Sequence, residues 1–407
     1  MPTATTPREL ARELDDAASL GRAVDDLLAC RAEPPVLLAL GEPTHGIAAF
    51  PLLRNELLAQ LAERGFRSIA LESDLFAAAI VDDYISGTTT TDLETVLATG
   101  FSHRFGAVPG NRELVEWLRG YNARRSPADR LRFYGFDAPL EQTDVPSPRP
   151  TLTAAGGYLP EPLRPAALRD LETLLGEDAD WTNPAAVYDP AASIGGSDRA
   201  RALRVVADDI VSALRRAAPA LRPADPAGYD LALANARTAL GLLRYHAAVA
   251  TPGADRIATL LSVRAEMMAD NLLAIVAAEQ HRGPALVFAH NVHLQRAGST
   301  LTMGGDDAHW CGAGALVAMS LGESYAFVAT DANPKSLPGT LQGELAAATH
   351  RRALFPASAL RAALPASIGV GEPIVPGHLP FEPAGLAGAD AIVFVADTDG
   401  TRHEYWH

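Results

Sequence analysis

Three observations predict an α/β fold with a mostly parallel central sheet, flanking helices and a helical insertion capping the cleft. Short, nearly continuous apolar runs recur along the 407 residues. Such runs suit strands buried on both faces of a sheet. Helical patterns separate them, and that alternation is the signature of α/β architecture. The rhythm then breaks between residues 141 and 280, where long helical patterns follow one another without strands.

The first strand is predicted at "VLLAL", 36–40, and it runs into the turn "GEPTHG". A helix follows over 48–64, with Phe50, Leu53, Leu57, Leu58 and Leu61 on one face and Gly65 as its stop. "RSIALES" (67–73) and "LRFYGFD" (131–137) are the next strands, with a helix over 111–124 between them. A Pro- and Thr-rich stretch beginning at Thr143 shows no periodicity. Helices are expected at about 197–217, 228–249 and 253–280, and strands at "PALVFAH" (284–290), "YAFVATD" (325–331) and "AIVFVAD" (391–397). The organisation expected is a first part of the catalytic core over 1–140, a helical insertion over 141–280 and the rest of the core over 281–407.

The bulk composition narrows the function classes. A net charge of −15 repels nucleic acid and anionic membrane surfaces. Lys335 is the only lysine, so arginine supplies nearly all positive charge, a bias of the source rather than of the chemistry. The two cysteines, Cys30 and Cys311, form neither a CxxC pair nor a disulfide framework. No signal-peptide core and no membrane-length apolar window is present, so the expectation is a soluble cytoplasmic protein acting on a small molecule. Its oligomeric state stays open.

Polar residues gather at the carboxyl ends of the expected strands. Glu42 and His45 follow the first, Glu72 and Asp74 end the second, and Asp137 closes the third. His290, Asn291 and His293 close the fourth, and Asp331 the fifth. Open α/β sheets bind ligands at that edge. Each piece alone suits a structural turn; their conjunction points to one crevice. An imidazole exchanges its proton near neutral pH, so His45 would serve as general base, with Glu42 or Glu72 orienting its second nitrogen. Arg54, nine residues on, would bind an oxyanion or pair with a carboxylate. His103, in "SHRF", is a loop residue near this site.

Other chemistries have less support. Three histidines with carboxylates could bind zinc or iron, but no HExxH pair or cysteine cluster occurs, so no cofactor is expected, with a divalent metal as the competing possibility. No GxSxG elbow follows a strand, and Ser73, Ser299 and Cys311 lack that context. Cys311 is expected where a helix begins. Neither a Walker A motif nor GxGxxG is present.

"LGEPTHG", the following Arg54, "ALESD", "NRELVEWLRGYN", "FYGFD", "FAHNVHLQRAG" and "GALVAMSLGESYAFVATD" together resemble the erythromycin esterase family in order and spacing. The resemblance covers roughly 35–140 and 255–335. It implies hydrolysis of a macrolactone ester without a covalent serine intermediate, by water that His45 activates. It also carries Glu42, Arg54, His290 and His293 into the site. Pro109 stands where many members have an aromatic residue. On "SVRAEMMADN", Arg264, Met268 and Asn271 fit, but Ala265 replaces a common acid. From residues and resemblance together, His45, Glu42, His290, Arg54 and Glu72 are expected to be catalytic, with Arg54 and His290 holding the oxyanion. His293, Asp137, Asn291, Arg264 and His103 are expected to contact substrate. The same acid–base groups would also serve a biosynthetic cyclisation, dehydration or acyl transfer, and the histidines an iron- or haem-binding protein.

Overall fold

The structure, a computed structural model, describes residues 5–141, 145–303 and 306–404. In chain order the strands are β1 (Arg12–Glu13), β2 (Leu37–Glu42), β3 (Ser68–Asp74), β4 (Arg132–Asp137), β5 (Ala285–His290), β6 (Gly298–Met303), β7 (Asp306–Cys311), β8 (Tyr325–Ala332), β9 (Arg352–Pro356) and β10 (Ala391–Val395). One sheet runs β1-β9-β10-β8-β2-β5-β3-β4, and β6 pairs with β7 separately. The central pairs β10/β8, β8/β2, β2/β5 and β5/β3 are parallel, while β9 and β1 add an antiparallel edge. The expected α/β class is therefore the one found.

Every residue of β2, β5 and β8 is buried, which is why their sequences read as unbroken apolar runs. The helix Ala49–Glu63 buries Phe50, Leu53, Leu57, Leu58 and Leu61, and Gly65 takes a positive φ of 92° two residues beyond it.

The chain folds into two compact units. The first comprises Met1–Phe136, Leu272–Thr300 and Cys311–His407; the second comprises Asp137–Asn271 and Leu301–Trp310. The first is built on the sheet, with its core spreading from Leu38 and Leu40 to Phe50, Leu58, Ile69, Leu114, Leu286 and Val328. The second is helical, and its core joins Leu152, Leu175, Leu203, Ile210, Leu214, Ala236 and Leu243.

Four local expectations need correction. The Pro-rich stretch contains the helix Arg149–Tyr158, with prolines confined to its start, where a missing N–H costs nothing. Thr143 and Asp144, at the start of that stretch, lie outside the described residues. The helix beginning at Asp198 runs on to Ala224, through Pro219 and Pro223. Cys311 ends strand β7, and the helix Ala313–Leu321 starts after it. Strands β1, β6, β7 and β9 had no counterpart in the sequence reading, because all are short or two-sided in polarity.

Candidate active site

The sheet order brings the polar strand ends together. β2 and β5 are neighbours, and their last residues, Glu42 and His290, are direct register partners. From β2 the chain proceeds toward the β4 edge, and from β5 toward the β10 edge. This is a topological switch point, where the carboxyl ends of an open sheet leave a crevice. β3 lies on the far side of β5 and delivers Glu72 to the same edge.

His45 stands between two carboxylates. Its Nδ1 is 2.7 Å from Glu42 Oε1, and its Nε2 is 3.8 Å from Glu72 Oε2. Burial disfavours the imidazolium, but the charges of Glu72 and Glu42 and the bond to Glu42 outweigh it, and the pKa of His45 is raised. Burial also raises the Glu42 pKa, against the opposing pull of His45. With Glu42 accepting the Nδ1 proton, Nε2 carries the lone pair. That is the geometry of an oriented general base.

Glu72 is the hub of the site. Its Oε2 accepts the backbone N–H of His290 at 2.9 Å, and its Oε1 lies 3.3 Å from His293 Nε2. Two buried atoms of this site, Glu42 Oε2 and His293 Nδ1, have no hydrogen-bond partner among the described residues. Buried polar atoms left unpaired are costly, so these are the points at which a ligand would gain most.

Arg54 is 1% exposed. It donates to Asn55 Oδ1 from Nε (3.0 Å) and Nη2 (2.8 Å), to the Gly110 carbonyl from Nη2 (3.1 Å) and to Asn111 Oδ1 from Nη1 (2.8 Å). Its guanidinium lies over the Phe288 ring at 5.0 Å. Burial pulls its pKa down to about 9, partly offset by Glu42 and Glu113, so it stays charged at neutral pH. The acceptors are neutral amides, which leaves one Nη1–H uncommitted and the positive charge available to an anion.

Two expected site residues have their side chains bonded to backbone groups. His290 Nε2 donates to the Pro43 carbonyl at 2.9 Å, while Nδ1 accepts the Val292 N–H at 3.2 Å as the cap of a short helix, Asn291–Leu294. Both nitrogens are thus used by backbone, and burial lowers the pKa to about 3. The neutral His290 ring pins the turn, with its Nε2 proton engaged by the Pro43 carbonyl. Asn291 is likewise bonded to backbone. Its Nδ2 donates to the Thr330 carbonyl at 2.9 Å, fixing β5 to β8.

The cleft beside His45 encloses about 370 Å³ with its open mouth included. Glu42, His45, Glu72 and Arg54 line it together with Phe101, Phe105, Val108, Asn111 and Phe288. The aromatic and amide members were not singled out from the sequence. A capping box gave the only hint: the Gly110 N–H donates to Glu113, and Asn111 opens the helix Asn111–Asn122. His103 and Arg104 both hold positive φ, 55° and 56°, a strained conformation for residues with a side chain. The His103 ring packs 5.4 Å from Phe105, which in turn sits 4.9 Å from His45.

The other residues considered from the sequence have the following partners. Asp137 and Arg264 belong to the second unit and pair with each other, Arg264 Nε donating to Asp137 Oδ1 at 3.0 Å. Ser73 Oγ is buried and accepts the Ser102 N–H, and Ser299 Oγ donates to the Val292 carbonyl. Asp331 accepts from His378, Gln342 and the Phe381 N–H in a fully buried network. Among the described residues, no three His, Cys, Asp or Glu side chains converge as metal ligands, and no helix is long and apolar enough to cross a membrane.

Comparison with known proteins gives the following. The family model described as erythromycin esterase matches residues 61–369. A variant of the erythromycin esterase EreC in its open conformation superposes with a TM-score of 0.66 at 19% identity, covering 100% of each chain. A Bacillus cereus protein gives a TM-score of 0.69 at 16% identity, over 96% of this chain and 95% of that one. A succinoglycan biosynthesis protein gives 0.62 at 15% identity, with the same coverage. Curated proteins give no match. At these identities the structural likenesses establish the fold.

Proposed function

The chain belongs to the erythromycin esterase family, and from that premise we propose a non-serine carboxylic ester hydrolase in which His45 activates water against an ester or lactone carbonyl. The observation that carries this reading is the 2.7 Å bond from His45 Nδ1 to Glu42, which leaves Nε2 as the base beside the cleft. Water gives a proton to Nε2 as its oxygen attacks the carbonyl carbon. The tetrahedral oxyanion is met by the uncommitted Nη1–H and charge of Arg54. Collapse breaks the acyl–oxygen bond, and the imidazolium returns its proton to the departing alkoxide. Glu72 stabilises the imidazolium while it lasts, and His293 holds Glu72. His290 and Asn291 shape the floor without touching the reaction. His103, through Phe105, fits the wall of the acyl or alcohol subsite.

Aromatic walls around a few polar groups suit a small organic molecule. An ester-bearing segment of a macrolide-like or other natural-product lactone fits that description. No step needs a cofactor, a nucleic acid or a membrane. The test is hydrolysis of a panel of lactones and esters by the wild type and by His45→Ala. Turnover should fall by about 10²- to 10⁴-fold with the circular dichroism spectrum unchanged. A folded His45→Ala protein that turns over normally removes His45 from the reaction.

A further inference from the structure

The turn that carries His45 is held from outside by the far end of the described chain. Arg402 Nε donates to the His45 carbonyl at 3.1 Å, and the His403 N–H donates to the Gly46 carbonyl at 2.7 Å. Ile47 and Arg402 form an antiparallel bridge. Arg402 Nη1 also donates to the Pro376 carbonyl at 2.9 Å, which ties the segment to the loop leading to Leu379. The Leu379 N–H donates in turn to the Pro43 carbonyl at 2.9 Å, the same oxygen that His290 Nε2 grips. Carbonyls on both sides of Thr44 are therefore clamped by the carboxyl-terminal region. The turn needs such support. Gly46 lies at φ 87°, outside any regular element; within the turn the His45 carbonyl receives only a long 3.4 Å bond from Thr44 Oγ1 among the described residues, and the Gly46 carbonyl is taken up by the His403 N–H. Both the turn and Arg402–His403 fall outside the family-matched residues 61–369.

We propose that Arg402 and the His403 backbone are positioning groups that hold His45 against Glu42, so that the tail segment completes the active site. This rests on the reading of His45 as the base. It also makes a claim independent of catalysis, that the imidazole loses its fixed geometry when the clasp is opened. A base displaced by a fraction of an ångström loses rate while the cleft that binds substrate is unchanged.

The experiment compares the wild type with Arg402→Ala, Arg402→Lys, His403→Pro (which deletes the N–H) and Thr401→Ala as a control in the same segment. Two readouts are taken on folded protein: the kcat against KM split for ester hydrolysis, and the ring Nδ1 and Nε2 shifts of His45 in long-range 1H–15N spectra. Arg402→Ala and His403→Pro should lower kcat by about 10- to 100-fold with KM within about twofold, and should move the His45 ring shifts toward those of a free imidazole. Arg402→Lys should restore part of both, and Thr401→Ala neither. Unchanged ring shifts in both Arg402→Ala and His403→Pro overturn the clasp, whatever the activity. Altered ring shifts in a protein that hydrolyses nothing uphold the clasp and count against the hydrolase reading alone. Equal losses in Thr401→Ala would show a general need for the tail and also overturn the specific assignment.

Discussion

Glu72 touches three histidines at once: the His45 ring at 3.8 Å, the His293 ring at 3.3 Å and the His290 amide at 2.9 Å. Its charge helps raise the His45 pKa against burial, so its removal has a signed consequence. His45 must be neutral to accept a proton. In the wild type the acid limb of kcat/KM should therefore lie above the ordinary imidazole range. Glu72→Gln keeps an acceptor for the His290 amide and removes the charge, and the limb should move to lower pH. A pH–rate profile with an unmoved limb would mean that Glu72 does not face the base. The sequence supported His45, Glu42, Glu72 and Arg54 because ionisable residues at strand ends have few structural reasons to recur. It could not reveal that His290 is locked, since both bonds that lock it go to backbone groups, Pro43 and Val292, which every sequence possesses.

At the scale of elements, β2, β5 and β8 are locked by a small polar joint inside an apolar sheet. Thr330 Oγ1 donates to the Gly41 carbonyl at 2.7 Å, and Asn291 bonds the Thr330 carbonyl. A Cβ on Gly41 would lie 2.1 Å from Asn291 Oδ1 and 3.0 Å from its Cα, so Gly41 is where β2 and the end of β5 approach most closely. Gly41→Ala should destabilise the fold by about 1–3 kcal/mol through overpacking, read as a lower urea midpoint at constant m-value. It should also depress turnover, because Glu42 follows directly. A melt identical to wild type would show that the joint yields freely. The six apolar strands were legible because full burial demands unbroken hydrophobic runs. β1, at two residues, and β9, with arginine and proline at its ends, are edge pieces whose pairing depends on the neighbour they meet.

Across the whole molecule, burial holds one histidine neutral in each compact unit. His290 is lowered to about 3, and His246, whose Nε2 donates to the Pro146 carbonyl, to about 4. Both lie below the usual imidazole value of about 6.5. Between that value and the folded pKa, the unfolded chain binds a proton that the folded chain refuses. Stability is therefore full above about pH 6.5 and is lost as pH falls toward the folded values, each group adding a slope of about 1.4 kcal/mol per pH unit. Denaturant unfolding at pH 7 and pH 5 should show this loss, and His246→Asn should reduce it. A pH-independent midpoint would mean that neither imidazole is kept neutral by the fold.

By itself the sequence determined the α/β class, the main strands and helices, and which polar residues end those strands. All of these follow from local periodicity and burial, properties that a single chain position carries with it. Only the tertiary structure decided which strand ends are neighbours, that Glu42 and Glu72 flank His45 from two strands, and that Arg54 is held by neutral amides. It also decided that Asn291 and His290 bond to backbone groups and that Arg402 reaches back to the His45 turn. Those facts depend on strand order and on hydrogen bonds between residues as much as 357 positions apart. No pattern read along the chain encodes a bond to a backbone carbonyl at that separation.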